Sequence, residues 1–534
     1  MSTTANLTDL FTANCAKLTK LKAIAGLWQR DGNLYCQNGE NLEVARAVRN
    51  RLGWLFSAPL MRAEVERLAI LARVVERQRY DRIIVVGMGG SSLWPEVIGR
   101  HLQGQRGLAI RVADSTHPGA VADLLAYCKA GKPLFIIATK SGSTIETSSI
   151  YRTVRPIWND GQHFVAITDP GSALEKLAKD EGFRDTFLNP ADIGGRFSAA
   201  SLFGLVPAAL AGVPLHESLQ RVEDMLQACR DPDPVLNPGA SLGAWLAAGV
   251  QSGRWQLRLS LSKDVRGFGA WVEQLIAEST GKLGTGLLPL VGGFDGEGPE
   301  FAKKLQHALV VSTATFAHPD DGFVDRARDA GVPDQSFVMP DPLDLWSEVV
   351  RWEFATAICG LLLNINPFDE PDVSSAKAAT QAILAGTAQP IAAHRQFEIA
   401  TLSQIAVEIG QELGDMLADD YLVVLAFVAP TSPNLQRLEA LRLSLQAKTL
   451  AAVTVQVGPR YLHSTGQFYK GGQPRGHFVV VTDLGRANGD IDIPQADLSF
   501  GKLARAQADG DAMILSSRNK RVLWADLAET AKTA

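Results

Sequence analysis

Residues 138–147, ATKSGSTIET, concentrate groups that can bind an anion. Within ten positions the chain places five side-chain hydroxyls and the ammonium of Lys140. An apolar run typical of a buried strand ends here, and a predicted helix begins near Ser143. Free N–H groups at a helix start, together with hydroxyls and one ammonium, can surround a dianion, so the stretch predicts a phosphate site. The hydroxyls belong to Thr139, Ser141, Ser143, Thr144 and Thr147.

The same stretch has a purely structural interpretation. Ser143 or Thr144 could cap the helix, with Glu146 completing a capping box. Capping is compatible with phosphate binding, but it leaves the polar residues 139–141 unexplained.

A second polar loop, VVGMGGSS at residues 85–92, follows an earlier predicted strand. Gly87 and Gly89 fit the start of a dinucleotide-binding fingerprint, and Asp114 ends the next strand, as that fingerprint requires. Its third glycine is replaced by Ser92. The hydroxyls here fit a compact phosphate better than a pyrophosphate, and the nucleotide interpretation stays open.

Two further stretches carry charged groups. In EQLIAESTGK, residues 273–282, Gln274 and Glu278 are four positions apart and would share one face of a helix. The alternative is a solvent-exposed helix end. GGRFS, residues 194–198, is equally compatible with a simple turn that exposes an arginine.

Short β-branched runs alternating with helix-like segments must position these loops. Such runs predict an α/β fold whose parallel sheet is covered by helices on both faces, with ligands at the carboxyl edge of the strands. A second alternating region starts near Trp255, with further runs at 287–291 and 308–312. A third, with runs at 422–428, 450–457 and 477–483, follows a polar, alanine-rich stretch at 372–415. The runs of the first region lie at 82–87, 108–113, 134–139 and 163–168.

Composition narrows the classes of function. The 534 residues are 46% hydrophobic, and the formal net charge is −5 without a basic cluster, which argues against a nucleic-acid partner. No apolar run predicts a membrane span or a secretory signal. Five widely spaced cysteines favour reduced thiols, so we expect a cytoplasmic protein that associates with neither nucleic acid nor membrane.

Taken together, the motifs resemble the phosphoglucose isomerase family, also called glucose-6-phosphate isomerase. GMGGSS, TKSGSTIET, GGRFS, QLIAESTGK and NPFDEPDVSSAK (366–377) occur in that family's order, and the resemblance covers roughly residues 45–380. The section GPRYLHSTGQFYKGG (458–472) resembles the isomerase half of bacterial bifunctional transaldolase/phosphoglucose isomerases.

The resemblance implies two sugar-isomerase (SIS) domains, each a doubly wound, mostly parallel sheet with helices on both faces, plus a C-terminal α/β extension. It also implies a homodimer and a sugar-phosphate substrate, with no cofactor. The expected divisions are an N-terminal helical segment (1–60), the two sugar-isomerase domains (61–215 and 216–410) and the C-terminal section (411–534).

The family's activity would be the interconversion of glucose 6-phosphate and fructose 6-phosphate through a cis-enediol. By motif, Glu278 would move the proton and Arg196 would stabilise the enediolate, while Gln274 would contact sugar hydroxyls and Lys377 would assist ring opening. A carboxylate suits the first role if its pKa lies near neutrality, and no metal is required. The expected phosphate-binding residues are Gly89, Gly90, Ser91, Thr139, Lys140, Ser141, Ser143 and Thr144.

Two departures from the family pattern affect the expected site. Glu370 stands where the family usually has glutamine. The ring-opening histidine expected about twenty residues after Glu278 is missing; the best replacement is His463, in a loop that would arrive by a different route or from another subunit, unless it is an ordinary surface residue. His307 is expected at a strand edge and His117 in a turn.

Three alternatives remain on sequence alone. A sugar-phosphate-sensing protein would keep the hydroxyl loop without catalysis, and a broadened isomerase would also accept mannose 6-phosphate. A dinucleotide-dependent dehydrogenase would use the glycine-rich loop. Retention of Glu278 and Arg196 argues against the sensor.

Overall fold

The strands, numbered β1 to β14 in chain order, form three separate parallel sheets. The computed structural model describes residues 6–36, 41–105, 107–292, 298–318, 322–390, 395–484 and 489–527. Residues 1–5 and 37–40 of the predicted N-terminal segment lie outside the described residues.

The helices pack on both faces of these sheets, as the α/β pattern predicts. Their bounds are α1 Leu7–Leu21, α2 Ala23–Trp28, α3 Leu42–Arg49, α4 Ser57–Arg77, α5 Leu93–Val97, α6 Pro118–Lys129, α7 Ile145–Val154, α8 Ala173–Asp180, α9 Leu202–Leu210, α10 Leu215–Ala228, α11 Pro238–Gln251, α12 Phe268–Thr280, α13 Gly298–Lys304, α14 Phe323–Asp329, α15 Leu345–Leu362, α16 Pro371–Leu384, α17 Ile405–Glu408, α18 Gly410–Asp415, α19 Ser432–Lys448, α20 Gly466–Gly471 and α21 Phe500–Ser517.

The first sheet has the order β2-β1-β3-β4-β5. Its inner strands are continuous apolar runs because helices cover both faces, and the four predicted strands are confirmed. The fifth is a short, half-exposed edge strand. The bounds are β1 Arg82–Val86, β2 Ala109–Ala113, β3 Pro133–Ala138, β4 Phe164–Thr168 and β5 Asp185–Leu188.

The second sheet has four strands in the order β7-β6-β8-β9. Its outer strand β9 alternates between partly exposed and exposed residues until its last position, as an edge strand does. The bounds are β6 Gln256–Leu261, β7 Leu288–Val291, β8 Ala308–Thr315 and β9 Asp334–Met339.

The third sheet has the order β10-β14-β13-β11-β12. Its first strand comes from the polar, alanine-rich stretch, where the sequence had predicted only a break between regions, and it pairs with β14. The range predicted for the second domain therefore contributes a strand to the third sheet. The bounds are β10 Arg395–Ile399, β11 Tyr421–Phe427, β12 Ala452–Val457, β13 Gly476–Thr482 and β14 Arg521–Leu527.

The first two sheets share one hydrophobic core, to which the N-terminal helices also contribute. Trp94 of α5 packs edge-on against Trp346 of α15 at its centre, with ring centroids 5.0 Å apart. The third sheet has separate apolar clusters. In the described part of the chain, no helix is both long and apolar enough to cross a membrane.

Candidate active site

A cavity of about 520 Å³ opens where the first sheet's strands end at their carboxyl edge. Residues from all three sheet units line it, so the site lies where open α/β sheets place their ligands. Every predicted site residue except Ser143 is part of this lining: Gly89, Gly90, Ser91, Thr139, Lys140, Ser141, Thr144, Arg196, Gln274, Glu278, Lys377 and His463.

The hydroxyl-rich loop between β3 and α7 faces the cavity. The hydroxyls of Thr139 and Thr144 are 3.0 Å apart, and the Ser141 hydroxyl contacts that of Ser143 at 2.8 Å. Thr144 is the N-cap residue of α7, but its side chain makes no capping hydrogen bond. The capping-box interpretation is therefore wrong, and the hydroxyls need another explanation.

Lys140 is held away from the centre of this loop. Its Nζ lies 2.5 Å from Asp169 Oδ2 and also donates to the carbonyl of Ala191 at 2.8 Å. Burial raises the pKa of Asp169 against the opposing effect of the ammonium. The lysine thus joins the loops that follow β3, β4 and β5, and it adds positive potential beside the hydroxyls.

The glycine-rich turn Gly89–Ser91 makes the closest backbone contacts at the site. Gly89 has a φ of +56°, and a Cβ built there would lie 2.6 Å from Gln274 Nε2 and 2.8 Å from the carbonyl oxygen of His463. A Cβ on Gly90 would lie 1.9 Å from the carbonyl oxygen of Gly195. These glycines allow the other units to reach the phosphate loops, which explains them without a dinucleotide.

Arg196 is buried and joins two carboxylates. It lies in the short turn Gly195–Phe197, and its Nη1 is 3.1 Å from both Glu278 Oε1 and Glu370 Oε2. Its Nε donates to Ser279 Oγ at 2.8 Å. The interpretation of GGRFS as a turn with an exposed arginine is therefore wrong.

The pKa values of the two carboxylates that share Arg196 are shifted in opposite directions. Burial raises the pKa of Glu278; Arg196 opposes the rise, and the nearby Glu370 adds to it. For Glu370, burial is outweighed by Arg196, which holds its pKa below the usual range. Environments that separate the pKa values of two neighbouring carboxyls in this way are typical of acid-base sites.

Gln274 and Glu278 share a buried face of α12, so the exposed-helix interpretation is also wrong. The Gln274 amide donates to Glu278 Oε2 at 3.1 Å and to the carbonyl of His463 at 2.8 Å. One amide therefore connects the proton-transfer group to the turn that carries the histidine.

His463 reaches the site from the third unit of the same chain. It ends the turn Arg460–His463 after β12, and its side chain is only 11% exposed, so it is not a surface-loop residue. Its Nε2 lies 2.8 Å from Glu146 Oε1, which also accepts from Gln507. Although burial opposes ionisation of Glu146, His463 holds its pKa below the usual range.

No role beyond helix capping was predicted for Glu146, and none was predicted for Lys282. Lys282 is buried, and its Nζ donates to the carbonyl of Asn366 at 2.5 Å and to Asp369 Oδ1 at 2.7 Å, so it supports the loop that carries Glu370. Burial lowers its pKa to about 8. The only signal for it was its place at the end of the STGK motif.

The remaining histidines named from the sequence have structural positions. His117 is the N-cap residue of α6, and its Nδ1 accepts from the N–H of Gly119, so the predicted turn role is confirmed. His307 immediately precedes β8.

Sequence comparisons find similarity to phosphoglucose isomerases. Residues 76–285 match the family model of phosphoglucose isomerase. A glucose-6-phosphate isomerase from Cyanothece sp. is 29% identical over 350 residues, which are 57% of this chain and 66% of that protein. One from Leptospira interrogans is 26% identical over 399 residues, covering 62% of this chain and 86% of that protein.

Solved structures share the fold. A glucose-6-phosphate isomerase from Chlamydia trachomatis superposes with a TM-score of 0.54 at 19% identity, covering 72% of this chain and 86% of that one. A hypothetical protein from Thermus thermophilus gives a TM-score of 0.55 at 23% identity, covering 71% and 98%.

Proposed function

We propose that this chain, a relative of the phosphoglucose isomerases through residues 76–285, is an aldose-ketose isomerase that interconverts glucose 6-phosphate and fructose 6-phosphate. One observation carries the proposal: the buried carboxylate of Glu278, whose pKa is raised, forms an ion pair with Arg196. Both residues line the cavity that the hydroxyl-rich loop also lines. An acid-base group next to an anion-binding loop is what isomerisation of a sugar phosphate requires.

In the proposed mechanism, the ring opens first. His463 and Lys377 both line the cavity, and the Nε2 of His463 is engaged by Glu146, which leaves Nδ1 to exchange a proton with the sugar ring oxygen. Glu146 fixes the orientation of the imidazole.

Proton transfer follows on the open chain. Glu278 removes the proton from C2 of the aldose while the C1 oxygen takes up the negative charge. The C2 hydroxyl then gives its proton to the C1 oxygen, and Glu278 returns the first proton to C1 as the C2 carbonyl of the ketose forms. Arg196 lies beside it to stabilise the enediolate, an effect worth a few kcal/mol when a fixed donor faces developing charge. Gln274 is assigned to the sugar hydroxyls.

The phosphate is assigned to the loops after β1 and β3. Ser91, Ser141 and Thr144 line the cavity there. Near Thr144, at the start of α7, backbone N–H groups and the helix dipole favour an anion. We assign to Ser143 the support of Ser141 rather than direct contact. Lys140 adds positive potential while paired with Asp169.

Two further proposals rest on the family resemblance and on composition. We propose that the protein is a homodimer, which light scattering coupled to gel filtration tests, and that it works in the cytoplasm. All five cysteines are unpaired, as they would be in a reducing compartment.

The test is turnover of fructose 6-phosphate to glucose 6-phosphate in a coupled assay. We expect activity in the wild type and a loss of about 10³-fold or more in Glu278→Gln. Glu273→Gln is the matched control: this neighbour on α12 contacts Gln456 instead, and burial raises its pKa to about 8, so the amide closely mimics its protonated form.

Other outcomes would favour the alternatives. A folded wild type that shows no turnover but is stabilised by sugar phosphate would be the sensor. Thermal stabilisation by NAD or NADP would favour the dehydrogenase.

A further inference from the structure

The turn that carries His463 begins with an arginine that faces a second cavity. Arg460 lines this space of about 350 Å³ between the first and third units. Its Nη2 forms an ion pair with Glu96 Oε2, and its Nε lies 3.2 Å from Asp114 Oδ2. The guanidinium therefore binds two carboxylates of the first unit.

Both carboxylates belong to the first unit, and one of them lies on the helix that continues the glycine-rich turn. Glu96 is in α5, the helix that follows the turn Gly89–Ser91, and Asp114 follows β2. Glu96 is also paired with Arg100, one turn further along. Arg460 thus fixes the third-unit turn to the element that continues the glycine-rich turn.

The other end of the same turn is fixed at two points. The His463 imidazole contacts Glu146, and its carbonyl oxygen accepts from Gln274. The ion pairs of Arg460 are largely desolvated, since its side chain and those of Glu96 and Asp114 are 29%, 18% and 12% exposed. Removing the guanidinium would leave two poorly hydrated carboxylates without their shared partner. We expect this loss to displace the turn more than the loss of a surface ion pair would.

We propose that Arg460 is a positioning residue for ring opening: its ion pairs with Glu96 and Asp114 hold His463 at the distance the sugar ring requires. The inference rests on the proposed function. Proton transfer needs heavy atoms within hydrogen-bond reach, and a shift of about 1 Å at a catalytic group can cost about 100-fold in rate. Apolar packing of Phe500 and Leu503 on the first sheet places the third unit as a whole, whereas the ion pairs of Arg460 act on the turn that carries His463.

The test is a double-mutant cycle in kcat with glucose 6-phosphate. We expect Arg460→Met to lower kcat about tenfold in the wild type, with KM nearly unchanged, but less than twofold in a His463→Ala background, because the group that Arg460 positions is already gone. Arg111→Met is the matched control: Arg111 lines the same cavity but pairs with Asp123, and it should leave kcat unchanged.

The outcomes separate this inference from the proposed function. An equal loss from Arg460→Met in both backgrounds, or an effect on KM alone, would overturn the positioning role. An unchanged kcat in His463→Ala would remove the ring-opening assignment and this inference with it, while leaving Glu278 in place. Arg460→Lys, which keeps the charge but not the two-carboxylate geometry, should recover part of the loss.

Discussion

The first and third sheets have the same core topology but use it differently. Read from one edge, the first is β2-β1-β3-β4 and the third is β12-β11-β13-β14, and each adds one more strand beyond the fourth. The strand order reverses between β1 and β3 in the first sheet and between β11 and β13 in the third. An α/β sheet usually binds its ligand at such a point. The reversal point of the first sheet faces the cavity of about 520 Å³, whereas residues of the first unit cover that of the third sheet.

The closure of the third sheet comes from the first unit. His117 Nε2 lies 2.6 Å from Asp483 Oδ1, just beyond β13, and Gly119 approaches Ala429 beyond β11. The third unit therefore contributes the turn Arg460–His463 to the candidate site, while residues beyond β11 and at the end of β12 line the smaller cavity shared with the first unit. Topology provides the place for a ligand, and the loops decide whether it is open.

Among the tests of this comparison, the largest effect is expected at His463, which the third unit contributes to the cavity. His463→Ala is expected to lower kcat with glucose 6-phosphate about 100-fold, because ring opening then proceeds without a positioned acid. Steady-state kinetics on both sugar phosphates check this. A loss confined to KM would mean that the third unit only contributes to binding.

Thr144 tests the role of the carboxyl edge of the first sheet, which faces the cavity of about 520 Å³. Thr144→Val removes a hydroxyl that caps nothing, so we expect KM for the sugar phosphate to rise about tenfold, the cost of one lost hydrogen bond to a charged group. The free energy of unfolding should stay within about 0.5 kcal/mol of wild type. Urea melts together with kinetics would expose the opposite pattern, stability lost and KM kept, if the hydroxyl were structural.

Glu370→Gln tests the charge arrangement at the open edge. The substitution removes a negative charge from beside Glu278, and it also removes the carboxylate that competes with Glu278 for Arg196. Both changes lower the pKa of Glu278. The acid limb of kcat/KM should therefore move to lower pH. A profile that stays in place would show that Glu370 does not influence Glu278, and one that moves upward would contradict the direction of the charge effect.

The smallest effect on activity is expected at Thr431, the N-cap residue of α19 beyond β11. Unlike Thr144, its side chain accepts a hydrogen bond from the N–H of Asn434. Thr431→Val should destabilise the protein by about 1 kcal/mol and leave kcat and KM unchanged. A change in kcat or KM would mean that the carboxyl edge of the third sheet also contributes to activity.

Much of the fold could be predicted because buried parallel strands are apolar runs. The strands that were missed were mostly edges: β5, β9 and β10 mix polar and apolar residues and are only partly covered. By contrast, β14 is central, and its apolar run 522–525 was a usable signal.

The site was predictable where motifs are local. Gln274 and Glu278 lie on one helix, and residues 139–144 on one loop, so spacing alone grouped them. The contact of His463 with Glu146 joins positions 317 residues apart and depends on how the third unit packs on the first, which no local pattern encodes. The pairing of Lys140 with Asp169 is also a tertiary contact, between the loops after two adjacent strands.

The central claim is that one chain supplies the whole site, including the histidine of the third unit. The most direct measurement mixes two inactive variants, His463→Ala and Glu278→Gln, by refolding them together and assaying fructose 6-phosphate turnover. We predict no activity beyond the sum of the two variants alone, because each chain completes its own site. Recovery of a substantial fraction of wild-type activity would contradict the account, since it would show that His463 serves the site of a second subunit.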